Sequence, residues 1–85
     1  MESNEIVRKQ IFQIITNQLR ANKPPETKLA FEKLKALGYS DLDTKRFIGQ
    51  CFAVELFHIL KHKTPFNESR YISNLNKLPE EPFDD

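Results

Sequence analysis

Apolar residues recur along this chain at intervals of three and four, which is the spacing of one face of an α-helix. The pattern is longest in the third quarter of the sequence, where the apolar arc consists of Ile48, Phe52, Leu56, Ile59 and Leu60. It predicts one helix from about Asp41 to Lys63. Ser40 is the expected N-cap, with Asp43 completing a capping box. Because this third helix is the longest and most apolar, we expect it at the centre of the fold.

A second side of the predicted third helix is mixed in character. A polar stripe runs along it and consists of Cys51, Glu55, His58 and His62. Phe47 and Val54 lie among these residues, and apolar side chains on a solvent-facing side usually mean a further neighbour. We interpret the stripe as solvated, with a half-buried cysteine. Gly49 and Ala53 are small and four positions apart, so we expect another helix to approach closely there.

Three shorter helices complete the prediction. Their expected bounds are about Asn4–Ala21, Pro24 or Pro25 to Leu37, and Glu68–Lys77. Ser3 or Asn4 is the predicted cap of the first and Asn67 of the last, while Gly38 follows the second. The predicted apolar faces are Val7, Ile11, Phe12, Ile14, Ile15 and Leu19 in helix 1, Leu29, Ala30, Phe31, Leu34 and Leu37 in helix 2, and Tyr71, Ile72, Leu75 and Leu78 in helix 4.

Length and glycine content favour a single all-α domain. The chain has 85 residues and two glycines, and short connections between helices favour antiparallel neighbours. We therefore predict a compact four-helix bundle over residues 1–78, with a long central third helix. Residues 79–85 are predicted to form an acidic extended tail, because they carry a charge of −4 against a net charge of +1 for the whole chain.

Composition also indicates where the protein works. The single cysteine excludes an intrachain disulfide and fits a reducing compartment. The first ten residues are too polar for a signal peptide, and the longest apolar stretch is shorter than the roughly 18–20 residues that span a membrane. We expect a cytoplasmic protein that does not contact membranes.

Several short motifs carry a resemblance to a known group of proteins. They are Asn17-Gln18-Leu19, Lys23-Pro24-Pro25-Glu26, Phe31-Glu32-Lys33-Leu34, Leu37-Gly38-Tyr39-Ser40, Ala53-Val54-Glu55, Pro65-Phe66-Asn67-Glu68, Arg70-Tyr71, Leu75 and Leu78-Pro79. Together they resemble a small, uncharacterised bacterial all-helical family, a domain of unknown function, from about residue 17 to residue 79. The resemblance implies a bacterial source and a helical bundle, and it assigns no activity and no functional residue.

Two further likenesses concern the junction between the second and third helices. Residues 34–40 are similar to the glycine–aromatic turn of ubiquitin-associated domains, but the next helix continues without a break and that domain is not formed. The junction also has the outline of a helix-turn-helix, with Lys45 and Arg46 early in the second helix. The helix then becomes apolar and the tail is acidic, so we expect no nucleic-acid binding.

The third helix carries residue types that serve in two kinds of site, a metal site and a catalytic site. Glu55, His58 and His62 have spacings that suit a zinc site in a helical bundle, but the remaining ligands would have to come from a second chain of a dimer. This metal-binding bundle is the alternative function. A catalytic Cys51–His58 pair is not expected, because two turns of one helix separate the side chains. We find no cofactor motif and expect no enzyme activity and no cofactor.

Protein–protein association is the leading prediction. Phe47, Val54 and Phe66 lie off the main apolar arcs, and Phe83 adds another aromatic residue in the tail. Contiguous exposed apolar side chains mark interaction sites. We predict a non-enzymatic interaction module in which Phe47, Val54 and Phe66 anchor a partner, either an unknown protein or a second copy in a homodimer. Coverage of these residues by helix 1 or by the tail is the competing interpretation.

Overall fold

The computed structural model describes residues 2–82, with side chains from residue 5 onward. Within that part of the chain there are four helices and no strand: α1 (Glu2–Ala21), α2 (Pro25–Ala36), α3 (Asp41–His62) and α4 (Glu68–Lys77). The predicted all-α four-helix bundle is confirmed. α3 is the longest helix, with 22 residues, and it packs against each of the other three. Its predicted central position is confirmed as well.

Local capping signals determine where α3 and α4 begin. The Asp43 backbone N–H donates to Ser40 Oγ at 3.1 Å, and the Arg70 backbone N–H donates to Asn67 Oδ1 at 3.0 Å. Each bond satisfies one of the unpaired N–H groups at a helix start. Gly38, which has a φ of 101°, follows α2 in the left-handed conformation that favours glycine. These boundaries follow from a few residues and agree with the prediction.

The predicted start of α1 is wrong. The helix begins at Glu2, so Ser3 and Asn4 lie within its first turn and neither is the N-cap. Polar residues cost little in the first turn of a helix, and an acidic residue there is favourable with the helix dipole. A helix beginning two residues earlier therefore loses no stability.

The core lies where all four helices meet. Its buried members are Ile11, Ile15, Ala30, Leu34, Ile48, Cys51, Tyr71, Leu75 and Leu78. Three residues placed on apolar faces by their spacing are instead exposed: Leu29 by 61%, Leu37 by 59% and Leu60 by 76%. α2 buries Thr27, Ala30 and Leu34, which share one narrow face, and this orientation turns Leu29 to solvent.

The predicted rotation of α3 about its axis is also wrong. Cys51 and Glu55, assigned to a solvated stripe with the cysteine half-buried, have no exposed surface, and neither does Thr44 or Ile48. These four residues follow one line along the helix, and that line faces the centre of the bundle. The histidines of the stripe lie further out, with His58 partly buried and His62 exposed. Pairing of Glu55 with Arg70 on α4 makes this rotation possible.

The close approach predicted at Gly49 is present. Gly49 is buried, and a Cβ atom added there would lie 3.2 Å from Ile11 Cγ2 on α1. That distance is tighter than ordinary van der Waals contact, so the absence of a side chain lets α1 and α3 come together. Ala53, one turn further on, is exposed.

Candidate functional site

A buried ion pair connects α3 to the start of α4. Arg70 Nε donates to Glu55 Oε2 at 2.6 Å and Arg70 Nη2 donates to Glu55 Oε1 at 2.9 Å. The Asn67 backbone N–H donates to Glu55 Oε1 at 3.0 Å. The Glu55 side chain is 1% exposed and the Arg70 side chain 16%. A bidentate guanidinium and one backbone amide thus compensate a charge that has lost its water.

The protonation of Glu55 reflects two opposing effects. Burial raises the pKa of its carboxyl, while the hydrogen bonds from Arg70 and Asn67 and the nearby positive charge lower it. The lowering effects prevail, so the pKa lies below its ordinary value and the carboxylate is ionised at neutral pH. Glu55 therefore serves as a charged joint between two helices.

The candidate metal ligands are arranged differently from the prediction. The His58 and His62 rings lie with centroids 5.2 Å apart at the end of α3, but the Glu55 carboxylate is held by Arg70 and Asn67. Among the residues that the structure describes, no three His, Cys, Asp or Glu side chains are grouped so as to hold a metal ion. The described part of one chain does not bring three ligands together, and completion of the site across a dimer stays a prediction.

A second polar centre lies inside the bundle and joins three helices. Gln18 Oε1 on α1 accepts hydrogen bonds from the Thr27 hydroxyl on α2 and from the Tyr71 hydroxyl on α4, each at 2.8 Å. Thr27 is fully buried and Tyr71 is 1% exposed. Burial raises the pKa of Tyr71 to about 12, so its hydroxyl remains a neutral donor. One carbonyl oxygen thereby fixes the relative positions of α1, α2 and α4.

The Cys51 thiol has the properties of a core residue. It has no exposed surface, and Sγ lies 3.7 Å from the Phe47 carbonyl oxygen, to which the thiol donates. Burial raises its pKa to about 12. A nucleophilic cysteine needs the opposite, a lowered pKa and access to solvent.

Cys51 should therefore report on unfolding. We expect the native protein at pH 8 to react with a thiol reagent such as Ellman's reagent only as fast as the bundle opens, because the buried thiol is neither ionised nor accessible. The reaction should reach its full rate in concentrated urea. Rapid labelling of the native protein, at the rate of a free thiol, would contradict the buried position of Cys51.

The structure places the three predicted partner anchors in separate locations. Phe47 is partly buried and its ring packs on Tyr39, edge to face, with centroids 5.0 Å apart. Phe66 is 40% exposed, and the centroid of its ring lies 5.4 Å from the centroid of the Tyr71 ring. Val54 is partly buried on α3. Each of the three lines a different depression of the surface. Gln50 lines the depressions at both Phe47 and Val54, so these two adjoin, whereas the depression at Phe66 shares no residue with either.

Two adjoining grooves with exposed apolar side chains lie on the outer side of α3. The first, which we call the α1–α3 groove, has a volume of about 480 Å³ and an apolar lining that includes Val7, Ile11, Phe12 and Ala53. Arg8 and Arg46 lie at this groove as well. Val7 is 45% exposed. An apolar floor with two cations beside it is suited to an apolar side chain flanked by carboxylates.

The second, the α3–tail groove, lies between α3 and the residues that follow α4. It has a volume of about 580 Å³ and is lined by Gln50, Ala53, Val54, Phe57, Glu81 and Pro82. Gln50 and Ala53 line both grooves, so the two are continuous across the outer ridge of α3. We call the combined surface the docking surface. It is basic at the α1 end and acidic at the tail end.

Sequence reasoning missed Val7 and Phe57 as surface residues. Val7 was assigned to the core face of helix 1, yet it lies in the N-terminal half of α1 and is 45% exposed. Phe57 is 45% exposed, and the helical spacing places it on the opposite side of α3 from the buried Ile48 and Glu55. That offset was the available signal. It is readable only after the buried side of α3 is known.

Part of the predicted tail is described. Residues 79–82 continue beyond α4 without forming a further helix, and Glu81 and Pro82 face α3 across the α3–tail groove. Phe83, Asp84 and Asp85 lie outside the described residues, so coverage of the predicted anchors by this part of the tail stays a prediction.

Comparison of the chain with protein-family models, with curated proteins and with solved structures found no match. The resemblance to small bacterial helical proteins stays a prediction. A search of the described helices found none with the length and apolar character needed to cross a membrane.

Proposed function

We propose that this protein is a non-enzymatic protein–protein interaction module that acts through the docking surface on the outer side of α3. One observation carries the proposal: two adjoining grooves share Gln50 and Ala53, and the apolar side chains of Val7 and Phe57 that line them are each 45% exposed. A contiguous apolar surface with charged residues at its edges is typical of a protein interaction site. Val54, one of the predicted anchors, lines the same surface, and this position supports a role for it in partner binding.

The chemistry-bearing residues support a structural role rather than catalysis. The carboxylate of Glu55 is paired with Arg70, and the Cys51 thiol is buried with a raised pKa. Both groups are engaged inside the bundle. A bacterial source and a cytoplasmic location are part of the same proposal, supported by the resemblance of the sequence motifs and by the single cysteine.

A second copy of the chain is the partner that best fits the charges. Arg8 and Arg46 lie at one end of the docking surface and Glu81 at the other. In a two-fold symmetric dimer the same surface of both copies meets with opposite polarity. The basic end of one copy then faces the acidic end of the other, and the exposed Phe57 side chains are covered by the second copy.

The solution mass of the protein tests this function. Light scattering across a wide concentration range should show a dimer for the wild type and a monomer for Phe57→Asp, because a charge in an apolar interface is unfavourable. Val54→Asp should act in the same direction. Leu29→Asp is the matched control, since Leu29 is an exposed leucine on α2, and it should stay dimeric.

Circular dichroism separates loss of binding from loss of the fold. Both docking-surface variants should keep the helical signal and thermal unfolding midpoint of the Leu29→Asp control. A wild-type monomer at every concentration, or a Phe57→Asp protein that dimerises as well as the wild type, would contradict the proposed function.

A further inference from the structure

Two histidine side chains lie next to each other at the C-terminal end of α3. The centroids of the His58 and His62 rings are 5.2 Å apart, and the ring planes are inclined at 37°. Residues four positions apart lie on the same side of a helix, one turn from each other. Both histidines line one open depression of the surface, and His62 is exposed, so a dissolved ion can reach the pair.

The separation of the two rings is the one expected for imidazoles that share a metal ion. Bonds from zinc to an imidazole nitrogen are about 2.0–2.1 Å long, which puts the ion about 3.2 Å from each ring centroid. Around a tetrahedral ion, two such centroids lie about 5 Å apart. Rotation about the Cβ–Cγ bond turns the nitrogens and leaves the ring centroid in place. The helix therefore supplies the spacing, and ring rotation alone aims the nitrogens.

The end of α3 is held in helical geometry at both histidines. His62 is the last residue of the helix, and the Lys63 backbone N–H closes the final turn by donating to the Ile59 carbonyl oxygen at 3.0 Å. The Phe57 ring packs edge to face on both imidazoles, with centroids 5.6 Å from that of His58 and 6.2 Å from that of His62. The two rings are therefore close together before any ion binds.

Charges near the pair act in opposite directions. Lys61 and Lys63 repel a cation, but both are exposed and their charges are screened by salt. The Lys61 ammonium lies over the Phe57 ring, 5.1 Å from its centroid. The C-terminal end of a helix carries a partial negative charge that favours a cation. Imidazole is a preferred ligand of zinc, copper and nickel ions, so a divalent transition-metal ion fits this end of α3.

We propose that His58 and His62 bind one divalent transition-metal ion, such as Zn²⁺, through one ring nitrogen each, with water in the remaining positions. This site differs from the predicted three-ligand site, because the Glu55 carboxylate stays bound to Arg70 and no second chain contributes. The site does not depend on the proposed function either, since both histidines belong to one helix of one chain. The bound ion links two successive turns of α3 and stabilises the end of the helix.

Calorimetric titration of the full-length protein with zinc chloride tests the site. The wild type should bind one ion per chain, and His58→Ala and His62→Ala should each bind at least about tenfold more weakly. Lys61→Ala is the matched control, because Lys61 is exposed in the same turn of the helix. It should bind zinc at least as tightly as the wild type. Magnesium chloride should give no binding heat, since Mg²⁺ prefers oxygen ligands.

Thermal unfolding gives a second measurement. Zinc should raise the unfolding midpoint of the wild type and of Lys61→Ala, because an ion that binds only the folded state stabilises it. The rise should be smaller in both histidine variants, whose helical circular dichroism without metal should match that of the control. Absence of binding heat, or binding that is unchanged in either histidine variant, would overturn the inference. One ion for every two chains would also overturn it, since the ligands would then come from two copies.

Discussion

Replacing Arg70 by methionine is expected to lower the free energy of unfolding by about 3–5 kcal/mol at pH 7, as measured by urea denaturation. The reason is that Glu55, whose side chain is 1% exposed, would keep its place in the interior and lose its charged partner. An ionised carboxylate without water or a counter-charge is among the most unfavourable groups in a protein interior. For a domain of this size, such a loss approaches the total stability.

The pH dependence of stability should change sign in the same variant. In the wild type the pKa of Glu55 is lowered, so this residue stabilises the fold above the pKa of the unfolded chain, near 4.3, and that stabilisation is lost as the pH falls through the lowered value. Without Arg70, burial dominates and raises the pKa. The contribution of Glu55 is then largest at low pH and is lost as the pH rises through the raised value.

Two further variants serve as controls for the Arg70 prediction. Glu55→Gln combined with Arg70→Met removes both charges and keeps an acceptor for the Asn67 N–H, so it should recover much of the lost stability. Arg46→Met removes an arginine from a half-exposed pair with Asp43 and should cost less than about 1 kcal/mol. Equal losses for Arg70→Met and Arg46→Met would show that the buried pair does not exist in solution.

Gln18→Leu is expected to lower the free energy of unfolding by about 2–4 kcal/mol, although leucine has a similar size. Gln18 Oε1 accepts from both Thr27 and Tyr71, and both donors are buried, so the substitution leaves two hydrogen-bonding groups without an acceptor. Tyr71→Phe removes one of the two donors and leaves the carbonyl bonded to Thr27. It should cost only about 0.5–1.5 kcal/mol.

The comparison between Gln18→Leu and Tyr71→Phe tests whether Gln18 is the shared acceptor. Urea denaturation of both proteins under identical conditions gives the difference directly, and Gln13→Leu provides a control, because Gln13 bonds Asn17 on the exposed side of α1. The control should lie within about 0.5 kcal/mol of the wild type. A larger loss in Tyr71→Phe than in Gln18→Leu would show that Gln18 is not the shared acceptor.

Features determined by neighbouring residues were predictable from the sequence. The caps Ser40 and Asn67 and the terminating glycine after α2 act over three or four positions, and all were found where expected. The number and order of the helices follow from the same local signals together with the hydrophobic spacing. This is why the fold class was correct.

The rotation of α3 depended on a residue far away in the chain. A helical wheel treats Glu55 as polar and turns it to solvent, but Arg70, 15 positions later, makes its burial possible. The same error affected the prediction of the exposed residues, because the exposed side of a helix follows from which side is buried. Phe57 could be placed on the surface only after Glu55 was placed inside. A charged residue can be buried when a partner elsewhere in the fold compensates its charge. Hydrophobic spacing considers each residue without that partner.

The ion pair between Glu55 and Arg70 has a consequence for the cooperativity of folding. α4 has ten residues, which is too short to be stable as an isolated helix. Its first turn is bound to the carboxylate of α3 through Asn67 and Arg70. A chain truncated before α4 would in turn leave that carboxylate with no counter-charge. Neither part is a folding unit without the other, so the protein should gain and lose its structure in one cooperative step.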